Sequence, residues 1–219
     1  MSLQLFLHPL SSYSQKAAMA FYENDVAFEP MIVGDDSAVW RAFGEVSPVG
    51  KFPVLIDGAT TIFEATSIIE YLDLRHPGPT RFVPADPGLA LEVRMLDRFF
   101  DNYIQTPIQQ IVGQAIRPDR SPDAFAIDSA KALMTKAFAW LDARMVGRQW
   151  AMGEAFTLAD CAAAPALLYA DWTMGIAETY PNVRAYRARL LARPSYARAL
   201  DEARPYRHLF PLGAPTDRD

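Results

Sequence analysis

The sequence predicts an α/β unit followed by an all-helical bundle, and three observations carry that prediction. The first 78 residues order their apolar stretches as β-α-β, a short connecting segment, then β-β-α. A stretch rich in proline and glycine, "RHPGPTRFVPADPG", interrupts the pattern. Beyond it, apolar residues recur at helical spacing almost to the end. The predicted boundaries are residues 1–78, a linker at 79–88, and a helical domain at 89–219.

Residues 3–8 alternate loosely and read as a strand. "SQKAAMAFYENDV" then places Ala17, Ala20, Phe21 and Asn24 on one helical face, with Asn24-Asp25 as a stop. "AFEPMIV" is a second strand, which a right-handed crossover would set parallel to the first. "VLI" and "TIF" flank Asp57-Gly58, two residues that tolerate positive φ, and predict a hairpin. Ile68, Ile69 and Leu72 mark an amphipathic helix ending before Pro77-Gly78.

In the helical part, Leu89, Val93, Leu96, Phe100, Tyr103 and Pro107 form one stripe, and Pro107 should kink or end its helix. Ser121-Pro122 fits the N-cap and first position of a second long helix. Its stripe is Ile127, Ala130, Met134, Ala137 and Leu141, and Gly147 stands at its end. Thr157 with Asp160 resembles a capping box, which makes Asp160 a structural cap. Two last helices lie in "NVRAYRARLLA" and "SYARALDEA", separated at Arg193-Pro194.

Composition narrows the function. The chain has 219 residues, 51% hydrophobic and 21% charged, ordinary values for a folded protein. Its net charge is -5, and the acidic excess lies in the first 78 residues, with 4 Lys/Arg against 10 Asp/Glu. No basic stripe marks a nucleic-acid surface, so nucleic acid is not expected as a partner. An anionic ligand would have to be held by local donors. Cys161 is the single cysteine, which excludes an intrachain disulfide and a cysteine metal cluster; it reads as a small buried residue. His8, His76 and His208 have no metal-ligand spacing, so no metal is expected. A cytoplasmic protein is expected from the cysteine usage and the absence of a leader-like segment. The longest apolar run, "CAAAPALLYA", is far short of the roughly 20 residues of a membrane helix.

Chemistry concentrates at "SSYSQK", where the first strand passes into the first helix. In open α/β sheets, ligands gather at the carboxyl ends of parallel strands, and a helix N-terminus there offers unpaired N–H groups. Local rules make one serine an N-cap, best fitted by Ser14. The other reading gives one of these hydroxyls to a ligand. Pro53 begins a predicted strand, where local rules are met by a trans proline on an edge. Glu64 precedes a helix and is stabilised there by the dipole. His8 reads as packed. Tyr103, Pro107 and Trp172 either line an apolar pocket against the active loop or serve as core or dimer contacts.

"SSYSQK", "GKFPVLIDG", "FEATSIIEYL", "FTLADCAAAPAL" and "YPNVRAYRARLLARPS", in this order and spacing, resemble the glutathione transferase family over nearly the whole chain. The serine-type classes are the most similar, through the pattern spanning Ser11 to Lys16. The resemblance implies a thioredoxin-like N-terminal domain, glutathione as co-substrate without a metal, and a homodimer. It implies a cis Pro53, with the Phe52 backbone pairing to the ligand in the manner of an added strand. Lys51 would take the glycyl carboxylate, Glu64 the glutamyl ammonium, and the Ala65 N–H the glutamyl carboxylate. Ala65 departs from the family's usual serine. Ser11 would donate to the thiolate, with Ser12 second and Tyr13 third. A small hydrophobic electrophile would be conjugated, in a pocket to which Tyr13, Tyr103, Pro107 and Trp172 are assigned. Two alternatives stay open: a glutathione-dependent cis-trans isomerase, because "SSYS" is similar to an isomerase-type loop with Tyr13 in place of cysteine, and a binding protein without turnover.

Overall fold

A computed structural model describes residues 2–118 and 121–218. The N-terminal unit runs β1 (Leu3–Leu7), α1 (Ser12–Glu23), β2 (Phe28–Ile32), α2 (Ser37–Val46), β3 (Val54–Asp57), β4 (Thr60–Phe63) and α3 (Ala65–Arg75). The sheet order is β2-β1-β3-β4, with β1 and β2 parallel and the other pairs antiparallel. Alternation along β1 explains why helices cover both faces. Leu3, Leu5 and Leu7 join the core with Ala17, Phe21 and Ile68 of α1 and α3. Phe6 turns the other way, to Val54 and to Phe43 of α2.

Two local expectations shift. α1 begins at Ser12, and its N-cap is Ser11, whose side chain accepts from the Ser14 N–H at 3.3 Å. Ser14 is not the cap: it lies inside the helix, fully buried, and its Oγ accepts from the His8 N–H at 3.2 Å. The hairpin turn is Gly58-Ala59, because Asp57 still pairs with Thr60; Gly58 adopts φ 59°. Asp25 follows the end of α1 at φ 49°.

The helical unit comprises α4 (Pro87–Phe100), a π-helical turn (Asp101–Gln105), α5 (Thr106–Ala115), α6 (Ala124–Arg144), α7 (Leu158–Met174), α8 (Pro181–Leu191), α9 (Pro194–Ala203) and a 3-10 turn (Arg204–Leu209). Pro107 acts as the sequence predicts, but through a wide turn. Lacking an N–H, it cannot close an ordinary helical bond, and the turn before it spreads to π spacing, with the Thr106 N–H and hydroxyl both on the Asp101 carbonyl. The added residue rotates the stripe. Ile104, Ile108 and Ile111 take the interior positions, and Tyr103 is left 50% exposed.

Helix α6 is capped by Asp123, which accepts from the Ala126 N–H at 3.1 Å, so the cap falls past the expected Ser121-Pro122. Gly147 lies beyond that helix's end at φ 68°. At α7 the capping box forms as expected. Asp160 accepts from the Thr157 N–H, from the Ala151 N–H at 2.8 Å and from the Tyr186 hydroxyl at 2.6 Å.

One continuous core spans both units. α1 packs against α7 and α9 as well as against its own sheet. At the edge of this contact Glu23 binds Arg193 with two 2.6 Å hydrogen bonds.

Candidate functional site

The two units enclose a cleft of about 1030 Å³. Three N-terminal segments line one part: His8, Ser11, Ser12 and Tyr13 after β1; Lys51, Phe52 and Pro53 before β3; and Glu64 with Ala65 at the start of α3. Eight sequence-predicted residues therefore meet in one cavity although 54 positions of chain separate Ser11 from Ala65. The sheet explains the convergence, since β1 lies between β2 and β3 and the loops meet at one sheet end.

Each segment has its own local cause. Ser11 is held by its capping role: its oxygen accepts the Ser14 N–H, which leaves its proton available to donate elsewhere. Ser12, at the first helical position, is 5% exposed, and its Oγ has no hydrogen-bond partner. The Phe52-Pro53 peptide bond is cis. Ser47 braces this loop, accepting from the Lys51 N–H and donating to the Lys51 carbonyl, both at 3.0 Å. Glu64 caps α3 at φ 70°, a left-handed conformation strained for a residue with a side chain. Ala65 follows as the first helical residue, where an N–H has no partner within the helix.

Behind the active loop lies a set of paired polar groups. The Tyr169 hydroxyl of α7 donates to the Leu10 carbonyl at 2.6 Å and accepts from Gln15 Nε2 at 3.1 Å. Gln15 Nε2 also donates to the Pro9 carbonyl, and its Oε1 accepts from the Tyr196 hydroxyl of α9. The next residue, Lys16, is also fully buried. Its Nζ meets Asp97 Oδ1 at 2.6 Å, Asp101 Oδ2 at 2.8 Å and the Thr66 hydroxyl at 3.0 Å, while Arg98 bridges the same two carboxylates. Burial, more than the neighbouring carboxylate, raises the Asp101 pKa.

The electrostatics separate the candidate donors. Burial first, then the charges of Asp101 and Glu64, pushes the Tyr13 phenol up to about 12. Tyr13 is therefore a neutral phenol at neutral pH. Burial lowers the pKa of His8, whose Nδ1 accepts from the Leu10 N–H at 3.2 Å and whose ring lies near Phe52 and Tyr206.

Of the four residues assigned to a co-substrate pocket, only Tyr13 lines the cleft. Tyr103 is turned outward by the π turn and packs on Phe99. Pro107 is buried in the helical core. Trp172 sits one layer behind the cleft, edge-on to Tyr169 and Phe210, which do line it. A further part of the wall, which the sequence reading does not assign, comes from Arg98, Asp101, Asn102 and Gln105 at the end of α4 and in the π turn, Ile108, Gln109 and Val112 of α5, and Leu209 to Pro211 at and after the end of the 3-10 turn. Pro107 inside an apolar stripe was the one sequence signal pointing to this wall. Among the described residues, no group of three His, Cys, Asp or Glu could hold a metal ion, and no helix is long and apolar enough to cross a membrane.

Comparison with known proteins agrees with this architecture. The chain is 27% identical to a stringent starvation protein A homolog of Histophilus somni, over 93% of this chain and 92% of that protein. It is 26% identical to glutathione S-transferase 3 of Zea mays, over 90% and 93%. Among solved structures, a Methylobacterium radiotolerans glutathione S-transferase in complex with glutathione sulfonate superposes with a TM-score of 0.78 at 26% identity, covering 91% of this chain and 94% of that one. A Methylobacillus flagellatus glutathione S-transferase with glutathione bound gives 0.81 at 24%, covering 90% and 98%, a likeness of fold. Residues 5–80 match the glutathione S-transferase N-terminal domain and residues 100–194 the C-terminal domain; the chain, a thioredoxin-like domain joined to a helical one, belongs to the glutathione transferase family.

Proposed function

We propose that this protein binds glutathione and transfers its thiolate to an electrophilic co-substrate. One observation carries the reading: Ser11, at the N-terminus of α1 with its proton free to donate, shares a cleft with the cis Phe52-Pro53 segment and the Glu64–Ala65 helix start. Glutathione extends along Phe52 and pairs with its backbone. Lys51 takes the glycyl carboxylate, Glu64 the glutamyl ammonium, and the Ala65 N–H the glutamyl carboxylate. Alanine at 65 forgoes one hydroxyl bond, worth about 0.5–1.5 kcal/mol, and keeps the backbone donor.

A free thiol has a pKa of about 8.5, so little thiolate exists at neutral pH. A hydroxyl donating to sulfur beside a helix N-terminus favours the anion. Ser11 is the preferred donor because its acceptor side is already used by the Ser14 N–H. The partnerless Ser12 hydroxyl supports a second reading, with Ser12 as donor. Residues 1–78 form the glutathione-binding domain, 79–88 the linker, whose last two residues already open α4, and 89–219 the co-substrate domain. Apolar side chains exposed along α3 and α4, among them Leu74, Leu91 and Met95, support a homodimer, and the single free, buried cysteine supports a cytoplasmic location. Retention on immobilised glutathione together with turnover of an aryl halide tests the transferase reading. Retention without turnover favours a binding protein, a reading supported by Ala65 and by the likeness to stringent starvation protein A homologs.

A further inference from the structure

The wall of the cleft built by the π turn and α5 carries polar groups that the proposed handling of glutathione does not use. Asn102, Gln105 and Gln109 all line it, so three carboxamides stand along one wall of the cleft. Around them lie the apolar side chains of Ile108, Val112, Tyr169 and Phe210. Gln105 is the unusual member. It is 3% exposed, it lies in the π turn, and its Oε1 accepts no hydrogen bond among the described residues.

An unpaired buried carbonyl is destabilising, a cost that a methionine of similar shape would avoid. A π turn within an α-helix often marks a functional position. Here the π turn places a buried glutamine on the cleft wall, beside apolar side chains. The terminal carboxamide turns easily about its last torsion, so its oxygen can be presented to a ligand.

We propose that this wall is a polar subsite for the co-substrate, in which Gln105 Oε1 accepts a hydrogen bond from a hydroxyl or N–H group carried by an otherwise apolar electrophile. The inference rests on the reading that a co-substrate occupies this cleft, and it changes the expected class from a plain hydrophobe to an amphipathic molecule. The apolar body lies against Ile108, Val112 and Phe210, while Asn102 and Gln109 offer both donors and acceptors to a second polar group. Selectivity follows, because a site that hydrogen-bonds a substrate hydroxyl rejects an analogue without it more strongly than an apolar pocket does.

The test uses the full chain and a matched series: 3- and 4-hydroxyphenyl ethyl ketone and their methyl ethers, measured by titration calorimetry with and without glutathione. One hydroxyl isomer should bind at least about tenfold tighter than its ether, and Gln105→Met should bring the pair to within about twofold while leaving the ether unchanged. Gln105→Glu, which keeps an acceptor oxygen, should retain the preference. Equal binding of both pairs by the wild-type protein, or a preference that survives Gln105→Met, overturns the proposal. So does unfolding of Gln105→Met, since an unpaired carboxamide should be dispensable for folding. Conjugation is scored separately with the corresponding vinyl ketones. A binding preference without conjugation removes the transferase reading and keeps the subsite; conjugation without a preference does the reverse.

Discussion

Behind the active loop and in the π turn, two buried glutamines, Gln15 and Gln105, are treated in opposite ways. Behind the active loop, Gln15, Lys16, Tyr169 and Tyr196 are buried and hydrogen-bonded or ion-paired, with partners drawn from both domains. In the π turn, Gln105 is equally buried and its oxygen has no partner among the described residues. A satisfied buried network fixes one geometry, because any displacement strands several groups at once. An unsatisfied group holds nothing in place and is available to a ligand. The first arrangement suits the placement of a reactive hydroxyl, the second the recognition of an incoming molecule.

The largest expected effect breaks the paired side. Lys16→Met removes the buried cation from Asp97 and Asp101, leaving them only the half-exposed Arg98 as a charged partner among the described residues, and should cost about 3–5 kcal/mol, read from chemical denaturation. Tyr169→Phe comes next. It removes one hydroxyl, strands the Leu10 carbonyl and should cost about 1–3 kcal/mol. If Tyr169 positions the active loop, the pKa of bound glutathione should also rise; a stability loss with an unchanged thiol pKa would confine Tyr169 to a structural role. Gln105→Met should raise stability, by up to about 1–3 kcal/mol, since it deletes an unpaired buried carbonyl. A loss as large as that of Tyr169→Phe would erase the contrast between the two sides.

The pH dependence adds a smaller effect. Burial lowers the folded-state pKa of His8 from its ordinary 6.5, so the unfolded chain takes up the proton first as pH falls. Stability supplied by neutral His8 is present above about pH 6.5 and declines below it. His8→Gln should flatten the fall in melting temperature between pH 7 and pH 5.5.

The sequence carried the fold further than it carried the site. Strand alternation, the Asp57-Gly58 turn signal and the capping box at Thr157 are local patterns, and each produced its element within a residue or two. Ser14 looked like the cap because the helical stripe starts beside it; the helix in fact starts earlier, where Ser11 can accept the Ser14 N–H. Extending the stripe up to the proline puts Tyr103 inside. The π turn that this proline imposes rotates the phase, so the inward position passes from Tyr103 to Ile104, while Pro107 itself stays buried in the core. The pairings of Lys16 with Asp97 and of Gln15 with Tyr169 join residues 81 and 154 positions apart, and no spacing rule reaches that far. The candidate glutathione residues were legible only through resemblance to a family, because each alone satisfies an ordinary helix or strand rule.

The central claim is that Ser11 activates the thiol from its capping position, and the pKa of glutathione bound to the full chain tests it most directly. Thiolate absorbance followed against pH should place that pKa below the free value of about 8.5 in the wild type. Ser11→Ala should bring it back towards the free value, with a cap loss of about 1 kcal/mol and the fold intact. Ser12→Ala should leave it depressed. A depressed pKa that survives Ser11→Ala and is lost in Ser12→Ala would contradict the assignment.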